Sequence, residues 1–419
     1  MRRAQAVIAV ASLVAPFAKV FRKRGYWHTL MAAVVGCWIV AAAVTLAVSD
    51  RWWSQVHVVT LGVLSNAIIA YSTHFAQALT RSKVRPYRSA AVKMLLISAA
   101  LGIIMGQGVQ LPWSPWVTGA ALAVVFVALW HAVTVVRLWA PRSGPPLSIT
   151  VVFYIVAAVA LALAVLLVIA GYTLGLNVSL IVAAHSRLAL WGFAWTTILG
   201  TIITMLPMLT RTKYSERARA WCLRALLLHG AALALGTVAC VAGGSRIAGA
   251  GFLLVAAAGV GVIWPVIASA LQAPNRADWD TASVGTCTAL LWIIALITCD
   301  AIALMCGVSP RTSFRNILPA LLGVGVVQLI LSVLLFLLPA MIGRGPNAVR
   351  VGRSVAEFAG PARFTILNYG GGLIVLSLWN PIAFFPGILL MILGALGHVI
   401  ALIVAAARQY SAPRKHAMK

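Results

Sequence analysis

Acidic side chains are nearly missing from this chain. Six Asp and Glu stand against 32 Lys and Arg in 419 residues, and all charged types together make up 9%. Soluble domains carry about 25% charged residues, so no water-facing shell can be built from this composition. That excludes a cytosolic enzyme and a secreted scaffold. The shortage of acids also argues against a carrier that moves protons along chains of membrane carboxylates. Cysteine is scarce too: Cys37, Cys222, Cys240, Cys287, Cys299 and Cys306, with no CxxC and no metal-finger spacing. Lying mostly in apolar runs, these act as small core side chains rather than ligands. No link between apolar segments is long enough for a second domain. The longest on the basic side runs from about Gly343 to Pro361, with Glu357 its only acid.

What is present is apolar: 62% hydrophobic residues and a mean hydropathy of +1.01. A membrane span needs about 20 such residues in a row. Twelve segments qualify, at about 29–48, 55–79, 90–108, 115–137, 147–171, 183–208, 220–243, 248–271, 282–306, 316–342, 364–379 and 381–407. All are expected to be helices, because a segment in lipid must satisfy its own backbone. The fold class is therefore an all-α membrane protein of about 12 transmembrane helices.

A net charge of +26 would suggest nucleic acid in a soluble protein. Here the basic residues fall in short clusters between spans, where they set orientation. Twenty-seven lie on one side of the twelve segments, four (Arg51, Arg246, Arg311, Arg315) on the other, and Arg187 within a span. This division implies an even span number, both termini in the cytoplasm of a bacterial cell, membrane lipid as the surrounding partner and no nucleic acid. The stretch Ala4–Phe21 is too short to span comfortably and has basic residues on both flanks, which opposes cleavage as a signal peptide and suits an interfacial helix. The organisation is thus a cytoplasmic segment 1–28, a transmembrane domain 29–407 and a basic tail 408–419.

Three spans end alike. Span 2 closes with Leu79-Thr80-Arg81-Ser82-Lys83, span 6 with Leu209-Thr210-Arg211-Thr212-Lys213 after Leu206-Pro207, and span 10 with Leu338-Pro339 before Arg344. The offsets are near 130 residues, and His57 and His185 head the first two of these spans. Such a period implies four helices per unit, repeated three times. The rival explanation is that any helix leaving lipid on the basic side ends in Arg or Lys.

Several stretches carry a likeness. In span 2 they are His57-x4-Gly62-x3-Asn66-x7-His74-Phe75. In span 6 they are His185-x6-Gly192-Phe193, Leu199-Gly200-Thr201 and Thr210-Arg211. Leu338-Pro339 and Gly343-x-Gly345-Pro346 close the set. With twelve spans in three four-helix units, this layout resembles haem-copper oxidase subunit I. It is similar, more closely, to a divergent bacterial branch of 12-helix proteins that includes the NnrS-like haem-copper proteins linked to nitric oxide metabolism. The resemblance implies b-type haem and, as a further cofactor, copper. It departs at span 7, which has only His229, and at span 10, which has no histidine. No His-Tyr pair or proton-channel acid is present, so proton-pumping oxygen reduction is not expected.

The histidines divide by depth. His57 and His185 belong near the outer face; His74, His131 and His398 belong in the inner half. His57 and His74 are 17 residues apart, about 25 Å along a helix, and cannot share one metal. Imidazole is a good axial ligand for haem iron and suits copper. His57 with His185 could hold an outer haem or metal, and His74 with His131 or His398 an inner haem. The plainer alternative for each is a hydrogen bond to a neighbouring carbonyl. Secondary candidates are Arg187 as a propionate partner, Asp300 as a buried acid for Arg187 or a histidine, and Met205 with Met208 around Pro207 for copper. Asn66, Gln328 and Asn368 read as interhelical hydrogen bonds, and Gly370-Gly371-Gly372 as a close helix contact.

These readings point to a haem- and copper-binding membrane protein in redox, nitric oxide or oxygen handling, served by a redox partner protein or a quinone. The alternatives are a cofactor-free transporter broken at Pro207, Pro265 and Gly370–Gly372, or a membrane assembly factor.

Overall fold

A computed structural model describes residues 24–108, 113–139, 146–272, 279–343 and 345–412. The expected interfacial helix at Ala4–Phe21 and most of the basic tail lie outside the described residues. Within them every regular element is helical. In chain order these are α1 (Arg24–Val48), α2 (Trp52–Thr80), α3 (Tyr87–Gln107), α4 (Pro115–Trp139), α5 (Leu147–Thr173), α6 (Val178–Thr210), α7 (Glu216–Val241), α8 (Ser245–Leu271), α9 (Thr281–Met305), α10 (Pro310–Ile342), α11 (Pro346–Glu357), α12 (Gly360–Leu376) and α13 (Pro381–Ser411).

Eleven of them, all but α11 and α12, are long and apolar enough to cross a membrane. The chain is an all-α membrane protein. The twelfth expected span, 364–379, corresponds to α12, which has 17 residues. That is about 25 Å of helix, short of the roughly 30 Å hydrocarbon layer. The segment expected at 183–208 extends to 33 residues in α6, and α10 is equally long.

Helix starts follow local chemistry. Ser215 Oγ accepts the Ala218 amide ahead of Glu216, Asp280 accepts the Ser283 amide, and Ser309 accepts the Thr312 amide with Pro310 in the first turn. Each side chain satisfies an amide that the first turn leaves bare.

Three of the four longest spans share a device that hydropathy alone does not reveal. α2 contains a π-helical stretch at Val58–Leu64, α6 at Leu188–Trp195 and α10 at Leu321–Val327. Each has glycine at its fifth position: Gly62, Gly192 and Gly325. A residue of positive φ ends each span, Arg81 at 50°, Arg211 at 55° and Gly343 at 72°. A wide turn misaligns the i→i−4 ladder, and polar side chains just beyond it bond the loosened carbonyls. Asn66 Nδ2 donates to Gly62 O at 2.6 Å, Ser65 Oγ to Thr60 O at 2.9 Å, and Thr197 Oγ1 to Phe193 O at 2.8 Å. These shared positions give the 130-residue period a structural basis in α2, α6 and α10.

The chain divides into two compact units. The first holds α1–α5 with α6 up to Gly200, apart from 182–184; the second holds the rest of α6 and α7–α13. In the first, Met31, Ile69, Met94, Ile97 and Val127 form one packed cluster, and Ala100, Ile104, Val117 and Val124 another. In lipid, helices associate by close packing rather than by escape from water. Gly171 therefore faces Ile181, Gly200 faces Phe153, and the Trp38 ring fills the space beside Gly62. In the second unit Gly251 of α8 meets Gly236 of α7, and Gly370 of α12 meets Gly387 and Met391 of α13. A polar chain ties three helices there: Trp292 Nε1 donates to Asn368 Oδ1 at 2.7 Å, Asn368 Nδ2 to Gln328 Oε1 at 3.0 Å, and Gln328 Nε2 to Gly285 O at 3.2 Å.

Candidate metal centre at the heads of α2 and α6

His57 is the sixth residue of α2 and directly precedes its π-helical stretch; His185 is the eighth residue of α6. Both belong to the first unit. The structure brings their rings together, with centres 6.3 Å apart and planes within 10°. Trp53, one turn before His57, stacks on it at 4.1 Å. His57 Nδ1 lies 2.9 Å from Trp53 O, and His185 Nδ1 lies 2.8 Å from Ala164 O of α5. A carbonyl only accepts, so each Nδ1 carries a hydrogen and each neutral ring presents a bare Nε2 lone pair. Neither Nε2 has a hydrogen-bond partner among the described residues. An Nδ1–H bond to a carbonyl fixes ring orientation and raises the basicity of Nε2, as in metal sites generally.

The two histidines are not strict counterparts in the repeat. Counted from the π-helical stretches, the partner of His57 is Arg187, and His185 stands two residues earlier. Arg187 is fully buried. His185 and Arg187, two residues apart, do not share a helix face.

Two imidazoles joined to one metal through Nε2, with bonds of about 2.0–2.1 Å, have ring centres about 6 Å apart. His57 and His185 are stacked with centres at that separation, so they are the two side chains that would hold one metal here. Among the described residues no group of three or more His, Cys, Asp or Glu could hold an ion. Two protein ligands suffice for haem iron, whose other positions the porphyrin fills, but fall short of a tetragonal copper site.

The other expected residues lie apart from this pair. His74 is half-buried in the opposite half of α2. His131, 2% exposed, bonds Ser72 Oγ through Nε2 at 2.8 Å, and His398 in the second unit gives its Nδ1 hydrogen to Gly394 O at 2.8 Å. Asp300 accepts from Ser313 Oγ at 2.6 Å. Met205 is fully buried whereas Met208 is 42% exposed, so they do not face one site. Gln328 and Asn368 join helices, as expected.

Two cations counted with the basic loops turn out to be buried. Arg363 caps the end of α11, donating through Nη2 to Ala356 O at 2.6 Å and through Nη1 to Phe358 O. Lys93 is fully buried in the second turn of α3. Its nearness to Arg85 and Arg88 disguised it as a topology signal; its place within an apolar run was the cue. No family model matches the sequence, and no curated protein matches it.

Proposed function

We propose that the protein holds a b-type haem between His57 and His185 and serves electron transfer in a redox system that handles nitric oxide or oxygen. The observation that carries this reading is the ring pair itself: 6.3 Å between centres, 10° between planes, and both Nδ1 atoms engaged by carbonyls. When bound, the haem supplies a one-electron couple. The chain's own residues do the positioning. Trp53 O and Ala164 O hold the tautomers, Trp53 packs the His57 ring, and α2 and α6 set the spacing. His57 and His185 would hold the haem through their Nε2 atoms, and a haem held by two imidazoles suits passing electrons. Copper is the weaker cofactor reading because only two ligands converge. The basic-residue division supports a bacterial plasma membrane location with both termini cytoplasmic. Its electrons would then come from a redox partner protein or a quinone.

Haem content per folded protein tests this. Wild type should show a Soret band and split visible bands on reduction. His57→Ala and His185→Ala should each lose that centre, while His74→Ala keeps it. Wild-type haem content in both outer variants, or a colourless wild type free of metal, overturns the reading and favours a transporter or assembly factor.

A further inference from the structure

A second polar cluster lies in the first unit, toward the ends of α2 and α4 remote from His57. Lys93 of α3 is fully buried, and its Nζ donates to Thr134 Oγ1 at 2.6 Å. Thr134 spends its own hydrogen on Trp130 O at 2.8 Å. The ammonium also sits 4.9 Å from the centre of the Trp130 ring. In its charged form Lys93 has three donors and a full positive charge, and no carboxylate bonds it among the described residues. His131 supplies the complementary deficit. Ser72 Oγ gives its hydrogen to Ile68 O at 2.5 Å and so accepts from His131 Nε2 at 2.8 Å. That leaves His131 Nδ1 as a bare lone pair, buried and without a partner. Thr134, which holds Lys93, stands one turn after His131 on α4, so the two groups lie on one side of that helix.

The cluster therefore lacks one negative charge that accepts from Lys93 and one hydrogen donor for His131. Water or an alcohol gives the donor but not the charge. Nitrate or formate gives the charge but not the donor. We infer that Lys93 and His131 form a buried site for a small monoanion that carries its own O–H, of which bicarbonate is the smallest example. The anionic oxygen accepts from Lys93 Nζ, and the O–H donates to His131 Nδ1. This site does not rest on the haem reading, because it shares no residue with the His57–His185 pair.

Titration calorimetry on the purified full chain, at fixed pH and ionic strength, compares bicarbonate with nitrate, a planar anion of similar size without O–H. Wild type should prefer bicarbonate by about tenfold or more, the worth of a hydrogen bond to a charged or buried group. His131→Leu should bring bicarbonate down to the nitrate level, and Lys93→Met should abolish both. The preference ratio in His131→Leu keeps Lys93 in place, so it decides even if Lys93→Met does not fold. No bicarbonate binding to wild type means water alone fills the cluster and overturns the inference. Equal affinities in wild type, or an undiminished preference in His131→Leu, overturn it as well.

Discussion

Asn66 shows how one residue supports a local departure from regular helix. It is fully buried, and its Nδ2 donates to the Gly62 carbonyl in the wide turn of α2. In lipid no water can take its place. Replacing it with leucine keeps the volume but removes that hydrogen bond. Asn66→Leu should cost about 1–3 kcal/mol, read as a lowered thermal midpoint of the purified protein. An unchanged midpoint would show that the turn satisfies itself. The residue scale is also where sequence reading was most uneven. His57 and His185 stood out because histidine is rare in apolar runs. Ala164 O, which sets the tautomer of His185, could not be seen, since any residue offers a carbonyl and only the packing of α5 against α6 selects one.

Among the elements, the α12–α13 contact depends on glycine at chosen positions. A Cβ on Gly370 would come within 2.6 Å of the Met391 amide nitrogen and 2.7 Å of Gly387 O, whereas a Cβ on Gly372 meets nothing within 4 Å. Backbone cannot yield as a flexible side chain does, so Gly370→Ala should destabilise by about 1–3 kcal/mol. Gly372→Ala should be neutral or slightly stabilising, since alanine suits a helix better by roughly 1 kcal/mol. Thermal midpoints of the two variants, measured side by side, check the contrast; equal losses would refute the packing geometry. The triple glycine was legible as a close contact, but which glycine makes it was not, because that depends on helix rotation. The same holds for the three π-helical stretches. Their glycine and following polar residues are visible in sequence as Gly62 with Asn66, Gly192 with Thr196, and Gly325 with Gln328. Ordinary helical periodicity does not distinguish them from any other buried turn.

For the molecule as a whole, orientation follows from where the cations lie. Reporter fusions after Arg85, Arg217 and Arg350 should all be cytoplasmic, and fusions near Trp113 and Gly244 external. An external signal at Arg217 would overturn the span order and the depth of His185 with it. Lys93 and Arg363 leave this forecast intact even though both are buried, because the remaining cations on that side still far outnumber the four on the other.

Composition and hydropathy by themselves determined that the chain crosses a membrane as helices, for a physical reason: few charges exclude a water-facing shell, and lipid forces each segment to close its own hydrogen bonds. The period near 130 residues and the rarity of histidine further marked α2 and α6 as related helices, each with a histidine near its head. Only the tertiary structure decided that His57 and His185 meet ring to ring while standing two residues out of repeat register, and that Lys93 faces inward beside His131. Those outcomes depend on how each helix is rotated about its axis. Rotation is set by glycine contacts, wide turns and interhelical bonds between residues far apart in sequence, and an apolar run carries little record of it.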